Sequence, residues 1–144
     1  KAIRRQRQMC IRDSIDDKQL DCIDLFAQLG TWQNRFQYLI EIGETLPEMP
    51  EHLKTSGTRI QGCISRTYFY PRVQDGIVRI QGWSNAVIPA GLIALIREVF
   101  DGCMVEDLRL LPAIAFHTEC GLMDHLTGNR AVALVEMIER LRGL

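Results

Sequence analysis

The chain has 144 residues, a hydrophobic fraction of 47% and a formal net charge of −1, enough for one domain around one core. The near-neutral total hides an asymmetry: Lys1, Arg4, Arg5, Arg7 and Arg12 precede the first acid, Asp13, which leaves 12 of the 17 basic residues to face 18 acidic ones, a net of −6. A body of that sign is a poor match for a phosphate backbone, and no apolar run approaches the roughly 18 residues that a membrane span needs, so neither nucleic acid nor membrane is an expected partner.

Residues 1–13 are read as a basic, disordered arm, with a transit remnant or a nucleic-acid contact as the lesser readings, and 14–144 as a single domain. The pattern has no secretory signal. Five cysteines, Cys10, Cys22, Cys63, Cys103 and Cys120, are odd in number, irregularly spaced and without a C-x-x-C pair. That disfavours a disulfide framework and points to a reducing compartment, the cytoplasm, or an organelle if the arm is a transit remnant.

In chain order, Ser14 is a good N-cap for a helix over 15–29, where Ile15, Ile23, Phe26 and Leu29 recur at helical spacing, and Gly30 suits its exit. Thr31 can cap a second helix with Trp32, Phe36, Leu39, Ile40 and Gly43 on one stripe. Pro47 and Pro50 stop it and open a polar, exposed loop over 46–59. The mode then changes to β-branched and aromatic residues, with Asp75-Gly76 as a hairpin turn between strands at 65–70 and 77–82, and a short extended piece before Cys63. Ser84 caps a helix over 85–100 that is apolar almost all round, hence the central buried helix. Short helices follow near 105–110 and 112–120. A last helix over 129–142 turns Val132, Val135, Ile138 and Leu141 inward. Together these predict an α+β domain, a short antiparallel sheet packed against helices from both ends of the chain.

The chemistry-bearing candidates are few. Cys63 stands at a loop-to-strand junction behind Gly62, which lets backbone approach closely and leaves the sulfur accessible on one side. Arg59 and Arg66 flank it, and positive charge nearby favours a thiolate. The bland alternative is a packed core cysteine. His117 and Cys120, three residues apart, can share a helix face, and with Cys63 and Cys103 would give four ligands for zinc or an iron–sulfur cluster. Against this, Cys103 and Cys120 read as small core residues after helix ends and His117 as a surface side chain. His117 or His125 could serve Cys63 as a base, which spacing cannot test. Trp32, Trp83 and the tyrosines read as core or rim aromatics, and Cys10 and Cys22 show no ligand spacing.

From Leu20 to Leu144 the chain resembles the SufE/CsdE family of sulfur acceptors. "TWQNRFQYLIEIGETLPEMP", "RIQGCISRTYFY", "GIVRIQGWSNAVIPAGLIALIREVFDG" and "CGLMDHLTGNRAVALVEMI" follow the family's order of motifs. The resemblance implies a fold similar to that of the iron–sulfur scaffold family. It implies that Cys63 takes sulfane sulfur from a cysteine desulfurase of the SufS/CsdA type, holds it as a persulfide, stimulates the desulfurase and passes sulfur to a scaffold complex for iron–sulfur cluster assembly. Such a protein acts as an accessory to the desulfurase, with no cofactor of its own, since pyridoxal phosphate belongs to the partner. Arg59, Arg66 and the retained Arg130 are the expected partner-binding residues, joined by Lys54 at the rim. The alternative is a metal or cluster scaffold using Cys63, Cys103 and Cys120. The chain departs from the family at Thr58 (often Asn), at Trp83 and Asn85 (acidic in Gly-Asp-Ser-Asp), at Ala90 (usually Lys) and at Gly128-Asn129 before Arg130.

Overall fold

The structure, a computed structural model, describes residues 14–144; the basic arm and Cys10 lie outside the described residues. Helix α1 (Ile15–Leu29) opens on Ser14, whose Oγ accepts from the N–H of Asp17 at 3.0 Å. Helix α2 (Trp32–Gly43) opens the same way on Thr31, whose hydroxyl accepts from Asn34 N–H at 3.2 Å. Both caps satisfy a donor that the first helical turn leaves without a partner. The 46–59 segment is more anchored than its polarity suggests. It holds a single 3₁₀ turn, Glu51–Leu53, and buries Met49.

Strands β1 (Thr67–Gln74) and β2 (Ile77–Ser84) form one antiparallel pair with Thr67 opposite Ser84 and Gln74 opposite Ile77. The ladder is longer than the sequence pattern predicts for two reasons. Asp75 (φ 53°) and Gly76 (φ 76°) make a two-residue turn with positive φ at both positions, so pairing runs right up to it. Pro71, which looked like a strand end, costs no ladder bond. It faces Ile80, whose own N–H and C=O point away from β1, to Asp101 Oδ1 at 2.8 Å and to Arg97 Nε at 2.9 Å. At such a non-hydrogen-bonded pair the missing proline donor would have faced outward. The short extended piece before Cys63 also forms: Ile60 N–H donates to Thr67 O at 2.9 Å and Phe69 N–H to Thr58 O at 2.8 Å.

Thr67, Phe69, Val78, Ile80 and Gly82 form the buried face of the sheet. It rests on helix α3 (Val87–Phe100), the central helix expected from its all-round apolar sequence, with ten of its residues buried. α2 lies on the other side of α3. The two backbones touch because Gly91 has no Cβ, which would overlap the carbonyl of Leu39. Helix α3 starts two residues later than the Ser84 cap implies. Asn85 is tied to Arg66 instead, its N–H donating to Arg66 O at 3.1 Å and its Oδ1 accepting from Arg66 N–H at 3.0 Å.

Helices α4 (Val105–Leu110), α5 (Phe116–Glu119) and α6 (Leu122–His125) follow. The helix expected over 112–120 is shortened to α5, since residues 112–115 are not helical. Its first N–H groups are taken by Gln19 Oε1, which accepts from Ala115 and Phe116 at 3.4 and 3.3 Å, and Gly121 (φ 85°) ends it. Helix α7 (Gly128–Arg142) closes the chain. Its inward face is Ala133, Leu134, Met137, Ile138 and Leu141. Val132 and Val135, expected inward, are not buried, and Val132 is 56% exposed. The two faces differ by about a quarter-turn, which apolar spacing does not resolve when both carry aliphatic residues.

Candidate functional site

Cys63 lies between the end of the extended piece and the start of β1, where sheet, loop and α7 meet. Its Sγ is 3.0 Å from Ser65 Oγ and 3.3 Å from Thr67 Oγ1. Thr67, fully buried, links on to Ser84 Oγ at 2.9 Å, and Ser84 accepts from Ala86 N–H at 3.1 Å. A chain of three hydroxyls thus ends on the sulfur. A hydroxyl can donate to a thiolate or accept from a thiol, so the chain serves either protonation state of Cys63. The residue is less open than the Gly62 position suggested: it is buried, at 8% exposure. Ile64 beside it is 82% exposed.

Gly62 has a different task. A Cβ there would stand 2.6 Å from Val132 Cγ1, so the glycine lets the loop lie flat on α7. Glu136, one turn beyond Val132, accepts from Gln61 N–H at 3.0 Å and from Gly62 N–H at 2.9 Å. Arg140, a further turn on, pairs with Glu136 at 2.9 Å and donates to the carbonyls of Gly57 at 3.2 Å and Arg59 at 2.6 Å. Neither residue was singled out from the sequence. The signal was there as an i, i+4 Glu–Arg pair on the last helix, but such pairs usually stabilise only their own helix.

The expected rim residues separate. Arg66 stands over the Trp83 ring, 5.2 Å from its centroid, and Lys54 Nζ over the same ring at 4.2 Å. Lys54 also pairs with Glu51 at 2.9 Å, which lowers the Glu51 carboxyl below its usual range. Where the resemblance leads one to expect an acid, Trp83 offers its π face to two cations, a contact worth roughly 0.5–1 kcal/mol when exposed. Arg59 contributes its carbonyl to Arg140. Arg130 falls in register with Leu134 and Met137 on the inward side of α7, not with Val132 and Glu136.

The remaining cysteines and histidines lie elsewhere. Cys103 accepts from Val78 N–H at 2.9 Å, at the hairpin end of the sheet, whereas Cys63 is at the Thr67–Ser84 end. Six residues of strand separate the two ends, roughly 20 Å, so the cluster-scaffold set of Cys63, Cys103 and Cys120 is not assembled. Among the described residues no group of three or more His, Cys, Asp and Glu side chains could hold a metal ion. Cys120 instead meets Cys22 of α1. Their hydrogen bond, and then burial, push the Cys22 thiol far up, while accepting that bond draws Cys120 down. His117 is not a surface side chain but buried, with its Nδ1 lacking a partner among the described residues, and burial lowers its pKa. It neighbours Phe116, which packs on Phe100 at the far end of α3, about 20 Å of helix from Ser84. His125 stacks on Trp32 at 3.9 Å. The side-chain partners of Cys63 Sγ are Ser65 and Thr67, not either histidine.

The α+β fold thus presents one sheltered loop thiol held in hydroxyl contacts, and among the described residues no group of metal-ligating side chains surrounds it. Residues 20–144 match the SufE family, described as an Fe–S metabolism associated domain, and the chain belongs to that family. It is 36% identical over 124 residues to an uncharacterised SufE-like protein of Rhizobium meliloti (83% of this chain, 89% of the relative). It is 30% identical over 124 residues to another from Rhizobium etli (83% and 84%). The solution structure of a hypothetical protein from Thermus thermophilus shares the fold, with a TM-score of 0.71 at 24% identity over 88% of this chain and 91% of that one. The family places the chain in Fe–S metabolism. Among the described residues no helix is long and apolar enough to cross a membrane.

Proposed function

We propose that the protein is a sulfur acceptor that carries sulfane sulfur on Cys63 between a cysteine desulfurase of the SufS/CsdA type and an iron–sulfur scaffold complex, in a reducing compartment such as the cytoplasm. The observation that carries the reading is the setting of Cys63: a single thiol on a loop, shielded from solvent, with hydroxyl partners and an exposed neighbour at Ile64. A carrier needs a thiol that can be reached by another protein's sulfur and then withdrawn. It needs no electron sink and no cofactor of its own, and the pyridoxal phosphate stays with the desulfurase.

The transfer balances without an oxidant. The Cys63 thiolate attacks the terminal sulfur of the donor's persulfide, a new S–S bond forms to Cys63, and the donor cysteine leaves as thiolate. The proton on the terminal sulfur travels with it, and the sulfane sulfur keeps its oxidation state. Handing sulfur to the scaffold repeats the exchange with Cys63 as the leaving group, and removing the product from the desulfurase stimulates its turnover. Ser65 and Thr67 can hydrogen-bond the inner sulfur of the Cys63 persulfide as they do the thiol. Lys54 and Arg66 on Trp83, with Arg59 and Arg130, are the basic residues assigned to docking an acidic patch of the desulfurase. Such rim charges act mainly on association rate and are screened by salt.

The test is intact and peptide mass after incubation with a desulfurase and free cysteine. One sulfur atom, about 32 Da, should add to the Cys63 peptide, since thiol–persulfide exchange moves one sulfur. Sulfur on Cys103 or Cys120 with Cys63 unmodified would overturn the assignment.

A further inference from the structure

We infer that Glu136 and Arg140 of α7 are the latch that sets how often Cys63 leaves its shelter, and so are positioning residues for the thiol. The inference rests on the reading of Cys63 as a sulfur acceptor. The loop before the thiol is held at four backbone points by this one helical pair: the N–H groups of Gln61 and Gly62 on the Glu136 carboxylate, and the carbonyls of Gly57 and Arg59 on the Arg140 guanidinium. Beyond the thiol the next backbone tie among the described residues is the exchange between Arg66 and Asn85. Between Gly62 and Arg66 the chain is attached by side-chain hydroxyls and carries the exposed Ile64.

The geometry divides the loop into a fixed approach and a short free span with the thiol in it. Cys63 follows directly on the last latched N–H. For its sulfur to turn outward to a protein-borne persulfide, Gly62 has to lift from Val132, against which it lies too closely to accept a Cβ, and the Glu136 bonds to Gln61 and Gly62 have to open. Hydrogen bonds to a charged carboxylate are stronger than neutral ones, so these two set most of the resistance to opening. Glu136 also faces outward, into a groove of about 400 Å³ that it lines with Met123, Val132, Val135 and Glu139. The latch therefore lies at the surface beside the thiol and not beneath it.

The experiment is alkylation of Cys63 by a small neutral reagent, iodoacetamide, on the isolated protein, read from the Cys63 peptide with the Cys103 peptide as internal control. Glu136→Ala should speed Cys63 modification at least about tenfold, the size expected from losing even one charge-assisted bond that restrains opening, and leave Cys103 unchanged. Glu136→Gln keeps one acceptor oxygen for the loop but no charge, and should give a rate between those of Glu136→Ala and the unsubstituted protein. A Cys63 rate in Glu136→Ala within twofold of the unsubstituted protein overturns the inference, as does equal acceleration at Cys103, which would signal general loosening. Should the variant not fold, amide hydrogen exchange on the unsubstituted chain decides. Gln61 and Gly62 should exchange at least tenfold more slowly than Ile64, and equal rates overturn the latch. None of these readouts uses a desulfurase. A failed sulfur-transfer assay with an intact latch result would thus sink the acceptor reading alone, and the reverse outcome the latch alone.

Discussion

Cys63 and the Cys22–Cys120 pair are equally hidden, at 8%, 7% and 7% exposure, yet their surroundings have little in common. Cys22 and Cys120 join α1 to the end of α5, with the Cys22 thiol pushed up by its neighbour Cys120 and Cys120 Sγ 3.7 Å from His117 O. Freeing either means parting helices. Cys63 sits on a loop, touches hydroxyls as well as the apolar core, and is bounded on one side by a surface latch and on the other by the exposed Ile64. Equal burial therefore hides two different settings for a thiol. What separates them is how much of the fold must move to reach the sulfur.

The comparison can be broken most decisively at the sulfur itself. Cys63→Ser should abolish sulfur acquisition from a desulfurase with the melting temperature nearly unchanged, because the hydroxyl replaces the thiol in a site already lined by hydroxyls. Intact mass and a thermal melt check both halves. Cys22→Ala or Cys120→Ala should do the opposite, leaving sulfur transfer within about twofold while destabilising the fold by about 1–2 kcal/mol, the usual cost of a small core deletion. Denaturant unfolding beside the transfer assay tests that inversion, and a transfer-dead Cys120→Ala would erase the distinction between the two settings.

A smaller effect is expected at the basic rim. Arg66→Glu should slow transfer several-fold at low ionic strength and flatten its dependence on salt, because rim charges govern encounter. Its alkylation by a neutral reagent should change far less. The same reversal at Arg130 should do less than at Arg66, since its helical register turns it toward the core side of α7. Equal effects at both would mean that α7 docks with its N-terminal end.

The smallest effect is a pH dependence on the structural side. Burial lowers the His117 pKa. The unfolded chain then binds a proton that the folded chain refuses, so this group's contribution to stability is complete above its ordinary value and is lost as pH falls through about 6.5 toward the folded value. Urea unfolding of His117→Gln should show a shallower loss of stability on acidification than the unsubstituted protein. Sulfur transfer at neutral pH should be the same in both.

Much of this fold is written in local signals. Ser14 and Thr31 cap the helices they were expected to cap, Asp75-Gly76 turns the hairpin, and the apolar run before Phe100 is the central helix. The misplaced element boundaries share one cause, which is that a distant side chain satisfies a backbone group, whereas the α7 face was missed because both of its sides carry aliphatic residues. Gln19 takes the N–H groups that begin α5, Asn85 is drawn to Arg66 and delays α3, and Arg97 and Asp101 occupy the backbone of Ile80, so that Pro71 fits within a strand. The thiol was legible from Gly62-Cys63 and the motifs around it. Its shelter was not, because Glu136 and Arg140 lie more than 70 residues away and look like an ordinary ion pair within a helix. Nor could spacing show that Trp83 gathers Lys54 and Arg66, since three separate segments meet there.

The sheet has a consequence for how other proteins meet this one. Many of its outward backbone groups are already spoken for: Thr67 and Phe69 of β1 by Ile60 and Thr58, Val78 of β2 by Gly102 and Cys103, and Ile80 by Arg97 and Asp101. A visiting strand would have to expel native segments before it could pair along these stretches, which blunts both edges as templates for adding a foreign strand or for edge-to-edge aggregation. Under the proposed reading, a sulfur donor or receiver then meets this protein mainly through side chains and loop tips. A contact of that kind can be made and released around one exposed span without unzipping any part of the fold.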